Sequence, residues 1–386
     1  MTTISSVRLT PVNVARSTGL VCGHVIVQIS TDDGHTGIGE MSDFQHLPRF
    51  HPDVPDLTRT LQSMLVGVDP WHANTISAAL EQAFPSAGSL YDKGAVIRCG
   101  VDTAIWDLRG RLSGQSVSTL LGGAVRSSLP VAYPIFRARS AADVQANLAQ
   151  VGARLEQGFA MFRVYVGGDL DLDEQFLREV RSRFGDQVAI KSLDFSNLLD
   201  ATAAARFIER TLDVGYALVE APAREGDLDG LAEVRRRALV PVSEHVYDAP
   251  AALRLAAARA VDVLNVGLFA LGGITPALRV VAIAEAAGLD CLVGTTQELS
   301  IGTAAAAHLG VATGCVTVPS DPVGPLLYTA DVVRTPVVYD GGHLLPPAGP
   351  GLGLELDTER LGEVAGPLRW EPGETTAVID RTGSPS

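Results

Sequence analysis

From residue 1 to about residue 40, apolar and polar positions alternate, as in Val7-Arg8-Leu9-Thr10-Pro11-Val12 and His24-Val25-Ile26-Val27-Gln28-Ile29. A period of two marks strands with one buried face, so this stretch predicts a β-meander. Asp32-Asp33-Gly34 supplies a turn, and Thr36-Gly37-Ile38-Gly39-Glu40 begins the next strand. From residue 56 to 121 the period becomes helical, with Val101, Ala104, Ile105, Leu108 and Leu112 on one face. Gly122-Gly123 ends that region. Beyond Leu129, strands alternate with helices. The candidate strands are 130–133, 161–166, 188–194, 217–220, 240–244, 262–268, 290–293 and 316–318. Eight such units are the number that closes a parallel barrel. The pattern predicts an α/β protein: an amino-terminal α+β domain over 1–126, a β/α barrel over 127–335, and a Gly- and Pro-rich segment over 336–386 that crosses back onto the amino-terminal layer.

Three acidic residues end successive apolar runs in the barrel region: Asp194, Glu220 and Glu244. They stand roughly 25 residues apart, close to the length of one βα repeat. Residues at the carboxyl ends of parallel strands converge on one mouth, where barrel enzymes hold their active sites. Three unpaired carboxylates there would repel one another and resist ionisation away from water. A hard divalent cation, most simply one Mg²⁺ per subunit, resolves the conflict. The spacing therefore predicts a metal-dependent enzyme.

Composition narrows the field further. A length of 386 residues suits two domains, and 46% hydrophobic content suits a soluble protein with large buried sheets. No apolar run is long enough to span a bilayer, and no signal-peptide pattern opens the chain, so neither a membrane nor secretion is expected. The net charge of −14 argues against nucleic acid as a partner. Cys22, Cys99, Cys291 and Cys315 form no CxxC pair or short disulfide framework, which points to a reduced, cytoplasmic protein. The expected partners are a small-molecule carboxylate and further copies of the chain in a homo-oligomer.

Taken in order, several segments resemble the enolase superfamily, in particular its mandelate racemase and muconate lactonizing branch. They are Thr31-Asp32-Asp33-Gly34-His35-Thr36-Gly37-Ile38-Gly39-Glu40, Val101-Asp102-Thr103-Ala104-Ile105-Trp106-Asp107-Leu108-Arg109-Gly110 and Leu120-Leu121-Gly122-Gly123. Val219-Glu220-Ala221-Pro222, Gly272-Gly273-Ile274-Thr275 and Gly349-Pro350-Gly351-Leu352-Gly353 complete the set. The resemblance implies a capped, modified TIM barrel with Mg²⁺ at the ends of its third, fourth and fifth strands. It also implies abstraction of a proton α to a carboxylate, giving a metal-stabilised enediolate. Asp194, Glu220 and Glu244 fall on the implied ligand positions.

The chain departs from that pattern where acid/base residues are usual. Arg163-Val164-Tyr165 stands where much of the branch has Lys-x-Lys, Gly267 where a sixth-strand Lys or Asp is usual, and Gly294 where some relatives carry His. Chemistry that needs bases on both faces of the substrate, such as racemisation, loses support. One-sided chemistry remains, and dehydration of a hydroxy acid or acid sugar is the first expectation. A racemase, epimerase or cycloisomerase and a metal-binding pseudoenzyme are the alternatives.

Tyr165 is the leading acid/base candidate, with Arg163 two residues away on the same strand face to favour its phenolate; the pair could instead bind the substrate carboxylate. His245 is the second, because imidazole titrates in the useful range. Strand alternation turns His245 outward if Glu244 points inward, which would leave it a packing role. His46, Arg49 and His51 lie in a loop after the third cap strand and are candidates for substrate contact, against the alternative of an exposed loop. Glu298, Gln297 and Asp321 follow the seventh and eighth strands: Glu298 as a candidate catalytic group, the other two as substrate-binding residues, or all three as parts of a hydrogen-bond network. His24, His35, His72, His308 and His343 read as structural.

Overall fold

The computed structural model of the chain describes residues 2–42, 44, 51–89 and 92–369. The alternating amino-terminal stretch forms the antiparallel meander β1 (Ile4–Ala15), β2 (Val21–Thr31) and β3 (Thr36–Met41). The helical stretch forms α1 (Val54–Leu65), α2 (Ala73–Ala83), α3 (Lys93–Ser113) and α4 (Val117–Leu120). β3 lies directly on α3. A Cβ on Gly37 would sit 2.2 Å from the Ala104 carbonyl oxygen, and one on Gly39 2.0 Å from that of Gly100. Only glycine permits this approach. Buried Asp107 fastens the seam by accepting from Ile38 N at 2.8 Å, Leu352 N at 2.7 Å and Arg111 Nε at 2.8 Å. One carboxylate on α3 thus joins a cap strand to the carboxyl-terminal Gly351-Leu352 turn.

The β/α region begins with β4 (Leu129–Pro130) and β5 (Tyr133–Ile135), followed by α5 (Ala141–Glu156), β6 (Met161–Tyr165) and α6 (Leu170–Phe184). Then come β7 (Ala189–Asp194), α7 (Ala201–Thr211), β8 (Tyr216–Glu220), α8 (Leu228–Arg237), β9 (Val242–His245) and α9 (Ala249–Ala257). The last units are β10 (Val263–Val266), α10 (Leu268–Leu271), α11 (Ile274–Ala287), β11 (Asp290–Val293) and α12 (Ser300–Ala312). Strands β5 to β11 form one parallel sheet in sequence order. Residues 316–318, expected as an eighth strand, make isolated bridges instead. Val316 bridges Cys291 and, a little further on, Ser320 bridges Val131, so one segment hydrogen-bonds to both edges of a curled sheet. β12 (Val338–Asp340) and β13 (His343–Leu345) pair with β4, and α13 (Thr358–Val364) follows.

Acidic and serine caps set where the barrel helices begin. Ser140, Asp169, Asp200, Asp227 and Asp248 accept N–H groups in the first turns of α5 to α9. Each such cap stabilises its helix by about 0.5–2 kcal/mol. They follow the strand ends, so part of the acidic surplus near the mouth is structural.

Candidate active site

Side chains on neighbouring parallel strands share a face when their residues are in register. Tyr165 is paired with Asp194, Asp194 with Glu220, Glu220 with Ser243, and His245 with Asn265. These residues form the inner face. Glu244 is paired with Leu264, a core residue. It therefore turns to the opposite side, where Asn197 Nδ2 donates to its Oε2 at 3.0 Å and His245 N to its Oε1 at 2.8 Å. Burial there pushes the Glu244 carboxyl up to about 7, against the opposing pull of its His245 neighbour. Glu244, expected as the third ligand, is thus placed apart from Asp194 and Glu220. His245, expected to face the helices, points inward, with Nε2 3.2 Å from Glu220 Oε1. The roughly constant interval between the acids identified the strand ends but not their parity, and a one-residue offset exchanges the two faces.

A guanidinium lies between the two convergent acids. Arg163 is 4% exposed, and one of its terminal nitrogens donates to Asp194 Oδ2 at 2.5 Å and to Glu220 Oε1 at 2.6 Å. The other terminal nitrogen is 3.5 Å from Asp321 Oδ2, and Lys191 Nζ donates to Asp321 Oδ1 at 2.6 Å. Lys191 reaches this cluster from a β-bulge: Phe162 pairs with Ile190 and Arg163 with Ser192, leaving Lys191 as the extra residue in β7. Asn265 Nδ2 also donates to Glu220 Oε1, at 3.0 Å. Burial opposes ionisation of Glu220, yet Arg163 and the His245 hydrogen bond hold its carboxyl well below the usual range. Burial disfavours the His245 imidazolium, but the bond to Glu220 outweighs it and raises the pKa. Burial raises the Asp321 pKa despite Lys191 and Arg163.

Tyr165 stands half-buried above this cluster. Its ring stacks on Phe136 at 5.4 Å, with the guanidinium carbons of Arg163 and Arg137 at 4.8 and 5.3 Å from its centroid. Arg137 also donates to the Val166 carbonyl at 2.8 Å and to Ser196 Oγ at 2.8 Å. The backbone tightens as β7 ends: Ser196 and Asn197 have φ of 48° and 58°, and Ser196 N donates to Asp194 Oδ1 at 2.7 Å. Left-handed conformations of this kind in non-glycine residues concentrate at functional sites. On the Glu244 side of the strand ends, a cavity of about 290 Å³ is lined by Asn197, Glu244, His245 and Tyr247, by Arg224, Glu225 and Asp227 ahead of α8, and by residues of α8 and α9 that include Leu231 and Arg254.

The other expected site residues divide. Asp321 belongs to the cluster. Glu298 does not: its carboxylate accepts from Thr295 Oγ1, from Thr296 N at 2.8 Å and from Thr296 Oγ1 at 3.0 Å. Gln297, buried with φ 73°, anchors its N–H on Thr295 Oγ1 at 2.7 Å. His51 is half-buried, and burial lowers its pKa. His46 and Arg49 lie outside the described residues. Sequence reasoning missed Lys191, Asn265 and Arg137. A lysine inside the apolar run that ends at Asp194 was a visible signal for the first; the other two carried none beyond polarity near a strand end.

A parallel β/α sheet beneath an α+β cap, with acids and bases gathered at the strand ends, defines an enzyme of the enolase type. Comparison with known proteins agrees. Residues 1–122 match the mandelate racemase/muconate lactonizing enzyme amino-terminal domain, and residues 146–360 the enolase carboxyl-terminal domain-like family. Muconate cycloisomerase 1-1 of Acinetobacter lwoffii is 30% identical over 346 residues, covering 87% of each chain. The N-succinyl-L-Arg/Lys racemase of Bacillus cereus is 25% identical over 347 residues, covering 88% of this chain and 89% of the relative. The crystal structure of muconate lactonizing enzyme from Pseudomonas fluorescens complexed with muconolactone superposes with a TM-score of 0.85 at 26% identity, covering 95% of this chain and all of that one. The chain belongs to the mandelate racemase/muconate lactonizing enzyme branch of the enolase superfamily.

Enzymes of this superfamily generally use Mg²⁺. The residues arranged here do not fit it. Of the three expected ligands only Asp194 and Glu220 converge, the oxygens they turn toward each other are already held by Arg163, and the third acid of the cluster, Asp321, is taken up by Lys191 and Arg163. Glu220 Oε2, Asp321 Oδ2, Asn265 Oδ1 and Ser192 Oγ are buried without a hydrogen-bond partner, but only two of them are carboxylate oxygens, and Asp321 Oδ2 already faces Arg163 at 3.5 Å. Among the described residues, no group of three or more His, Cys, Asp or Glu is arranged to hold a metal ion. Nor, among them, is any helix long and apolar enough to cross a membrane.

Proposed function

We propose that the chain is an isomerase of the cycloisomerase kind, acting on a small unsaturated dicarboxylate or its lactone by proton transfer on one face. The observation that carries this reading is the filling of the opposite face. A Cβ on Gly294 would lie 2.1 Å from Asn265 Oδ1, and one on Gly267 2.8 Å from the Phe269 ring. The sixth and seventh strands therefore carry no base at these positions, and a side chain at either would have to displace Asn265 or Phe269. His245 borders the cavity on the other side. The muconate cycloisomerases among the relatives support a ring-forming or ring-opening reaction, and the single-sided arrangement weighs against the racemisation that another relative's name describes.

In the ring-opening direction, His245 removes the proton α to the carboxylate, and the electron pair left on carbon expels the lactone oxygen as a new carboxylate. In the closing direction, that carboxylate adds to the β-carbon while His245 returns a proton to the α-carbon. Glu220 fixes the imidazole through Nε2, leaving Nδ1 as the ring nitrogen for proton transfer. Tyr165 and Phe136 shape the mouth, and Arg224 and Arg254, set among Glu225, Asp227 and Glu244, are the cationic side chains that the cavity offers a carboxylate. The expected Mg²⁺ takes no part in this reading. A homo-oligomer remains part of it, and light scattering on the purified chain checks the assembly.

The test is incubation with cis,cis-muconate, substituted muconates and their lactones, following loss or gain of the conjugated diene, with acid sugars screened alongside for release of a 2-keto acid. Solvent deuterium should enter one face of the α-carbon. Interconversion of α-epimers would overturn the reading in favour of a racemase, and a 2-keto acid product would restore dehydration.

A further inference from the structure

We propose that the Arg163 guanidinium is a built-in cation that replaces the divalent metal, so that the folded enzyme neither binds nor needs one. The inference concerns how the site is held and stands whichever compound is turned over.

Position is the first argument. The donor nitrogen of Arg163 lies within 2.6 Å of one oxygen from each convergent acid, where a cation shared by Asp194 and Glu220 would sit. The side chain is held there from several sides. Asp321 is 3.5 Å from its other terminal nitrogen, and the Tyr165 ring lies 4.8 Å from its central carbon. Arginine suits the role because its planar fork meets two carboxylates at once and it does not lose its charge on burial.

Charge balance is the second argument. The buried carboxylates of Asp194, Glu220 and Asp321 face Arg163, Lys191 and His245. Three acids thus meet three basic groups. A divalent ion added to this set would lie against a fixed guanidinium, and like charges in a buried site oppose each other strongly.

The missing donor is the third argument, and it is independent of the other two. Glu244 is set on the outer face by the register of β9 with β10, and both its oxygens are engaged there, by Asn197 Nδ2 and His245 N. Bringing it to the mouth would require a one-residue slip of β9, which would expel His245 and Ser243 from the inner face.

The experiment measures metal directly. The purified full-length chain is stripped with EDTA, then titrated with Mn²⁺ followed by electron paramagnetic resonance and with Mg²⁺ followed by calorimetry, with thermal unfolding recorded in parallel. The wild type should bind neither ion stoichiometrically below millimolar concentration, and its Tm should be the same with EDTA, Mg²⁺ or Mn²⁺. Arg163→Met should lose several degrees of Tm in EDTA and recover part of the loss in Mn²⁺, with about one ion bound per chain. One Mn²⁺ per wild-type chain, lost in Asp194→Asn, would overturn the proposal. So would an Arg163→Met protein that folds but is neither bound nor stabilised by Mn²⁺. Should that variant fail to fold, the wild-type titration decides the matter alone.

Discussion

Among the described residues, two buried histidine–glutamate pairs differ in what holds the carboxylate. At the seam of cap and barrel, His24 Nδ1 is 2.9 Å from Glu40 Oε1. The Glu40 oxygens also accept from Leu299 N at 2.8 Å and Gly302 N at 2.9 Å, both backbone donors on the barrel side. Glu298, nearby, is held by the Thr295-Thr296 segment next to it in sequence. At the mouth, the partners of Glu220 among the described residues are side chains: Arg163, Asn265 and His245. Backbone donors are fixed once the chain folds, so the seam pair is a rivet between domains. Side-chain donors can change partner when a ligand arrives, so the mouth pair can take part in chemistry. Burial and pair chemistry alone would have ranked the two alike.

The sharpest way to break this comparison is to remove each histidine. His245→Asn should lower kcat by about 10²–10⁴-fold, the usual worth of a general acid or base, with a small change in Tm. His24→Asn should do the reverse, costing about 1–3 kcal/mol of stability for the disturbed buried partner while kcat stays close to wild type. Steady-state kinetics and denaturant unfolding on both variants decide it. Equal loss of activity in the two would erase the distinction.

Arg163 gives the next largest effect, this time on stability. Arg163→Met leaves Asp194 and Glu220 facing each other without their shared cation, and breaking a buried pair in this way typically costs about 3–5 kcal/mol. Urea unfolding in EDTA measures it. A cost below about 1 kcal/mol would mean that the network behaves like an exposed ion pair.

How much of this was readable in the sequence depends on which step is asked about. The change of period from two to helical gave the cap, and the repeating strand–helix pattern gave the barrel, because those signals are local. Asp194 and Glu220 were legible as strand ends for the same reason. Glu244 was not, because counting residues between acids leaves open which face of the strand each one takes. That choice rests on the pairing of β9 with β10, a long-range property. Lys191 stayed hidden because only the β7 bulge turns it inward. The glycine pair Gly37 and Gly39 read as part of a family segment, but its cause, the contact with α3, appears only once the helix is packed. Residues 316–318 have a strand's composition, yet Val316 makes a single isolated bridge to Cys291, and the contact with the other sheet edge falls to Ser320.

Asp173 extends the comparison to an acid held by the backbone next to the mouth. It accepts from Gly167 N at 2.7 Å, and burial pushes its pKa up to about 7. The folded state then binds its proton more tightly than the unfolded state does. Its contribution to stability is complete below the ordinary carboxylate pKa and is lost as pH rises through about 7. Asp173→Asn retains an oxygen for the Gly167 N–H but cannot ionise. Its unfolding free energy should be flatter between about pH 4 and 7, by on the order of 2 kcal/mol, and above about pH 7 it should match or exceed the wild type. An unchanged slope would show that Asp173 is ionised in the folded protein throughout.

The smallest expected effect belongs to Tyr165, which asks whether the aromatic lid of the cluster does more than shape it. Its ring stacks on Phe136 and lies beside two guanidinium groups, and phenylalanine supplies the same flat face and a comparable attraction for cations. Tyr165→Phe removes only the hydroxyl, so stacking, the position of Arg163 and folding should all survive. With His245 as the proton carrier, kcat should fall by less than about tenfold, and KM should carry most of any change because the ring borders the substrate's entry. The control is Tyr165→Ala, which removes the ring as well and should lower both kcat and Tm by loosening Arg163. If instead Tyr165→Phe lowers kcat by about 10²–10⁴-fold at unchanged Tm while His245→Asn retains turnover, the phenol moves the proton and the imidazole only supports Glu220. The mouth would then differ from the seam through its tyrosine rather than its histidine.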